Sequence, residues 1–102
     1  MVQVIENWSG ITGTVCSLKP DAELPDHVVA EVDVDSVVPV ARETGEPYAN
    51  LLGDTAGARL NLTLPAAVAA SAGVEPGRRI AQRAQRSSPF RCFLDPQHLS
   101  VE

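Results

Sequence analysis

"RRIAQRAQRSSPFRCF" (Arg78–Phe93) is the stretch whose reading decides the fold. It is the one place where an acidic chain turns basic: five of the eight Lys and Arg residues, Arg78, Arg79, Arg83, Arg86 and Arg91, fall within fourteen positions. Taken as a strand, it puts Arg79, Ala81, Arg83 and Gln85 on one face and Ile80, Gln82, Ala84 and Arg86 on the other, neither cleanly apolar. Taken as a helix, it lines up Ile80 with Ala84 and sets Arg79, Arg83 and Arg86 on the opposite side. Spacing alone leaves both readings open. The continuation "PFRCFLDP" (89–96) favours the strand, because Phe90, Cys92 and Leu94 share one face of a good last strand. The expectation is a hairpin with Ser87-Ser88-Pro89 as its turn.

Working back, "ARLNLTLP" (58–65) alternates, with Leu60, Leu62 and Leu64 inward and Arg59, Asn61 and Thr63 outward. "PAAVAASAG" (65–73) has a helical start at Pro65, alanines through the body and Gly73 as terminator, with Val74 placed to fold back on the last turn. At about two turns, such a helix depends on its neighbours for stability. The clearest pattern is "HVVAEVDVDSVVPV" (27–40), a half-buried strand with Val28, Ala30, Val32 and Val34 on one face and Glu31, Asp33 and Asp35 on the other. Its phase breaks at Ser36-Val37-Val38, which predicts a bulge. "SGITGTVCSLKP" (9–20) reads as a strand able to bend sharply at Gly13. "DAELPD" (21–26) is a turn, and 41–57 is a long loop that Tyr48, Leu51 and Leu52 pin to the body.

The order is strand, strand, strand, short helix, strand, strand. It resembles the oligonucleotide/oligosaccharide-binding (OB) fold, and the resemblance implies an all-β, five-stranded OB-like barrel with one short helix between the third and fourth strands. Two narrower likenesses stand beside it. "GTVCSL" and "AEVDV", with the later "GVEPGRRIAQRAQRSS", look like the small molybdate-binding (TOBE-like) domains, which would imply a small-oxyanion site. "RLNLTLPAAVAASAGVEPGRRI" looks like the strand, helix and glycine-proline turn of swapped-hairpin (AbrB-like) regulators, although Arg78 stands where that family usually has an acid.

Composition bounds what such an object does. The 102 residues read as a single domain, 1–102, with one modest core and no room for a separate catalytic domain. No long apolar run and no basic leader mark a membrane span or a secretory signal, so the expected location is cytoplasmic and no membrane partner is expected. Cys16 and Cys92 lack metal or redox spacing and read as reduced. The first 55 residues hold ten acids and two bases, the remainder three acids and six bases. Such asymmetry means either two functional faces or strands pairing charge against charge.

No nucleophile elbow, phosphate-cradling glycine loop or zinc-protease motif occurs, so the expectation is no enzyme, no catalytic residue and no cofactor. Glu31, Asp33 and Asp35, about 7 Å apart along a strand face, make a poor metal cage, and no metal is expected. His27 and His98 fall in no recognisable pattern.

The best interaction candidates are two. Arg79, Arg83, Arg86 and Arg91 with Phe93 form a candidate surface for single-stranded nucleic acid or an acidic partner, since arginine pairs with phosphates and stacks on bases. The competing reading is that these arginines answer Glu31, Asp33 or Asp35 inside the molecule. Tyr48, Leu51 and Leu52 form a candidate protein-interaction site. A net charge of −5 weighs against nucleic acid. The expected role is a non-catalytic binding or adaptor module whose partner is another protein or itself, with single-stranded nucleic acid as the alternative.

Overall fold

The computed structural model describes residues 6–88 and 91–102. Strand β1 (Ser9–Pro20) is followed by β2 (His27–Pro39), β3 (Arg59–Pro65), helix α1 (Ala66–Ala72), β4 (Arg79–Ser88) and β5 (Arg91–Leu94). A single 3-10 turn (Pro96–His98) then leads to a two-residue strand, β6 (Ser100–Val101). The strands lie in the order β1-β2-β3-β5-β4, and β4 returns to pair with β1, so five strands form a ring. All neighbours are antiparallel except β3 and β5, whose parallel seam is only two residue pairs long, Leu62 with Cys92 and Thr63 with Phe93.

The alternation seen in the sequence becomes the inside of this ring. Ile11 and Val15 of β1, Ala30, Val32 and Val34 of β2, Leu62 and Leu64 of β3, Ile80 and Ala84 of β4, and Cys92 and Leu94 of β5 are all buried. Apolar burial of this kind stabilises a fold by roughly 25 cal/mol per Å² removed from water. β1 serves two neighbours, β2 on one side and β4 on the other. Its register against β2 slips between Thr12 and Gly13, where Asp35 becomes the extra residue, and again at Cys16. The first slip is the bulge expected from the broken phase of β2.

Helix α1 behaves as its sequence dictates. Pro65 precedes it in extended conformation, and Gly73 closes it at φ 78°, a left-handed position that glycine adopts without steric cost. The Gly73 and Val74 N–H groups both donate to the Ala69 carbonyl, and Val74 and Ala69 are buried.

Residues 79–86 are strand, with Arg78 just ahead of it, which resolves the ambiguity. Ile80, Gln82 and Ala84 face inward, and Gln82 is the polar residue among the three. Ser87 and Ser88 continue β4 rather than forming the turn, with Ser88 opposite Arg91. Pro89 and Phe90, the rest of the expected turn and the first inward residue of the last strand, lie outside the described residues. The sequence did not announce β6. It lies along β4 at Ile80 and Ala81, held by the Glu102 N–H on the Arg79 carbonyl and by Arg78 Nε on the Glu102 carbonyl at 2.7 Å.

The 41–57 segment carries no strand or helix yet is well bonded. Ala41 bridges Pro47, the Tyr48 N–H donates to the Val40 carbonyl, and Ala49 bridges Asn7. Leu52 is fully buried and belongs to the core. No helix among the described residues is long and apolar enough to cross a membrane.

Candidate functional site

The outer faces of β2, β3 and β5 line up in rows. Val29, Thr63 and Phe93 are direct neighbours across the three strands, and so are Asp33 and Arg59 across β2 and β3. Over these rows folds the loop between β1 and β2, residues 21–26. Where the loop meets the sheet is a surface cleft of about 210 Å³, lined by Asp21, Glu23, Val29, Asn61, Thr63 and Arg91 among others.

Arg91 organises the cleft. Its side chain leaves β5, and Nη1 donates to Thr63 Oγ1 on β3 at 3.2 Å and to Asp21 Oδ2 at 2.5 Å. Nη2 donates to Glu23 Oε2 at 3.1 Å and lies 3.5 Å from Asp21 Oδ1. The guanidinium carbon is 5.9 Å from the centre of the Phe93 ring, a loose cation–π approach. Asp21 is the hub on the other side. Its Oδ1 also accepts the backbone N–H groups of Glu23 and Leu24 at 2.8 and 3.0 Å, so one carboxylate shapes the loop and holds the arginine. Its side chain is only 3% exposed. The Arg91 guanidinium, then the Leu24 and Glu23 N–H groups, hold the Asp21 carboxyl well below the usual carboxylate range. Neither Asp21 nor Glu23 stood out in the sequence, because both sit in what reads as an ordinary turn.

The other arginines are placed as follows. Arg79, on the outer face of β4, reaches across β1 to Asp35. Glu31 and Asp33 are taken instead by Arg59, at 3.3 and 2.9 Å. Arg83 lies on the same outer face as Arg79, opposite Gly10. Arg86 has the inward parity of Ile80, Gln82 and Ala84, and it pairs with buried Cys92. Its backbone is clamped by the buried Asn7 side chain, which donates to the Arg86 carbonyl at 2.9 Å and accepts the Arg86 N–H at 2.8 Å. The ring therefore brings Arg79, Arg83, Arg91 and Phe93 to its outside and turns Arg86 away from them.

Of the loop residues, Tyr48 lies under the Arg42 guanidinium at 4.4 Å from its ring centre. Leu51 is 39% exposed and Leu52 is in the core, so the three do not make one exposed patch. The other large exposed hydrophobic among the described residues is Val38, at 55%, on the outer face of β2.

Among the described residues no group of three or more His, Cys, Asp or Glu is arranged to hold a metal ion. Cys16 and Cys92 are both free thiols. The Asp33 carboxylate beside Cys16 pushes that thiol up, which disfavours the reactive thiolate. His98 Nδ1 lies 2.6 Å from Asp95 Oδ2 in the 3-10 turn, where Asp95 also accepts the Gln97 N–H as a cap. In sum the outer face offers recognition groups: two arginines, a half-exposed aromatic ring, a hydroxyl and an amide, framed by carboxylates.

No known protein family, curated protein or solved structure matches the chain.

Proposed function

We propose that this protein is a non-catalytic binding module of OB-like architecture that works in the cytoplasm by engaging another protein or a second copy of itself. Fold does not imply ligand, so the OB likeness contributes only an address. In that fold, ligands are taken on the face of the second and third strands, between the loop joining strands one and two and the loop joining strands four and five. Here that address is the cleft around Arg91.

The observation that carries the reading is that three of the five arginines of the basic run are answered from within the chain. Arg78 donates to the Glu102 carbonyl, Arg79 pairs with Asp35, and Arg91 pairs with Asp21 and Glu23. On the face itself, among the described residues, Asp21, Glu23, Glu31 and Asp33 stand against three bases, Lys19, Arg59 and Arg91. A surface with surplus carboxylate repels a polyphosphate and suits a protein partner. Val38 and Leu51, the two large exposed hydrophobics among the described residues, are the apolar contacts such a partner would use.

One observation favours the alternative, single-stranded nucleic-acid binding. Phe93 is half exposed on the outer face of the sheet that also carries Arg83, an arrangement that single-strand binders use for stacking. Two measurements on the full chain separate the readings. Sedimentation over rising protein concentration, alone and with captured partners, should show an associated species that Val38→Asp or Leu51→Asp weakens. A titration with labelled oligothymidylate at low salt should stay flat. A monomer at every concentration, together with saturable and salt-sensitive oligonucleotide binding, would overturn the protein-binding reading.

A further inference from the structure

We infer that Asp21 and Glu23 are specificity-determining residues: they neutralise Arg91 from within the chain and bar single-stranded nucleic acid from the outer face of β3 and β5. The inference rests on reading that face as the binding surface.

Without those two carboxylates, the face has what a single-strand binder needs. It has a planar guanidinium that can grip a phosphate bidentately, an aromatic ring beside it, and the exposed Asn61 amide as a further polar group. Asp21 uses both of its oxygens on the two Nη atoms of Arg91, and Glu23 adds a third contact to Nη2. An incoming phosphate would therefore meet two negative charges around one positive charge, and would find the donors already occupied.

Displacing Asp21 is unfavourable for a second reason. The same carboxylate accepts the Glu23 and Leu24 N–H groups, so a ligand that pulls it away also strips the loop of its turn. Specificity of this kind comes from an element built against the wrong ligand rather than from better contacts to the right one. The partner that fits is one without phosphates.

The test compares the wild-type chain with Asp21→Asn/Glu23→Gln, in which the amide oxygen at position 21 can still accept the Glu23 and Leu24 N–H groups. Binding of fluorescein-labelled oligothymidylate is followed by anisotropy at low salt. The double variant should bind at least about tenfold more tightly than wild type, with a steeper fall of log affinity against log salt. Adding Arg91→Ala should abolish the gain. Glu43→Gln/Glu46→Gln, which removes two charges from the exposed 41–47 turn, should not reproduce it. The inference is overturned if the folded double variant gains nothing, if the gain survives loss of Arg91, or if the control gains as much. Should the double variant fail to fold, Glu23→Gln alone, at an exposed side chain outside the loop's hydrogen bonds, must still bind more tightly than wild type. Failure of the underlying reading is seen separately, in sedimentation: a monomer at every concentration strikes at the protein-binding role, whereas the inference stands or falls on the gain in oligonucleotide binding.

Discussion

Gly13 sits where β1 has a strand on each side, opposite Val34 of β2 and Ile80 of β4, at the point where the register slips. A methyl group there would overlap the Asp33 carbonyl oxygen and come within 2.7 Å of Val32 Cγ1. The requirement is for close approach of two backbones, since glycine lets a neighbouring chain lie where a side chain would stand. Gly13→Ala should therefore destabilise the protein by about 1–3 kcal/mol, as overpacking of a filled interior does. A urea unfolding series checks this, and an unchanged midpoint would mean that β1 can relax away from β2. Gln82 makes a different point at the same scale. It is buried on the inner face of β4, and neither its amide nitrogen nor its oxygen meets a hydrogen-bond partner. Its inward position follows from the parity of Ile80 and Ala84, although its chemistry alone would have placed it outside.

At the scale of elements, the parallel seam between β3 and β5 is the shortest pairing in the ring, and Arg91 spans it. By bonding Thr63 on β3 and Asp21 in the β1–β2 loop, it ties three elements with one side chain. The pH dependence follows from Asp21. Its carboxyl is held below its ordinary value in the folded state, so the pair contributes fully at pH above the unfolded value of about 3.9. As pH falls below that value, the unfolded chain takes up a proton that the folded one resists, and the contribution is lost. Wild type should then be more stable than Asp21→Asn near neutral pH, with the difference shrinking below about pH 3.9. Paired thermal unfolding curves at several pH values measure it. A gap that widens in acid would contradict the assignment of Arg91 as the cause.

For the whole molecule, the 41–57 segment belongs to the body and not to its decoration. Leu52 is fully buried against the core, and Ser9, itself buried, donates its hydroxyl to Asn50 Oδ1. Leu52→Ala should cost about 2–5 kcal/mol, the range for emptying a filled core position. A loss below about 0.5 kcal/mol, the size of a surface effect, would show that the segment packs loosely. The charge distribution also acts at this scale. The acids of the first half and the bases of the second meet across the ring as Arg59 with Glu31 and Asp33, Arg79 with Asp35, and Arg91 with Asp21 and Glu23. The exposed pairs, those of Arg59 and Arg79, contribute little stability each, unlike the buried Asp21 contact of Arg91. The larger effect of these pairings is to answer the charge of Arg79 and Arg91 in the nominally basic hairpin.

The period-two runs of β2 and β3, the Pro65–Gly73 helix and the bend at Gly13 were legible in the sequence. Each depends on local rules: alternation of side chains along a strand, the fixed φ of proline and the missing side chain of glycine. The strand 79–88 was legible only with its sequel, because its inward face carries Gln82 and Arg86 and imitates no clean pattern. Which arginine answers which acid was decided by tertiary structure alone. β2 and β4 are not neighbours, since β1 lies between them, and the bulge at Asp35 shifts the end of β2 relative to Arg79. Asp33 faces Arg59 because β3 is its direct partner in the ladder. The same holds for the cleft, where a turn residue, Asp21, and a residue 70 positions away, Arg91, meet only because the seam closes the ring. Charge pairing across strands depends on register and ring closure, and neither is written in any local stretch.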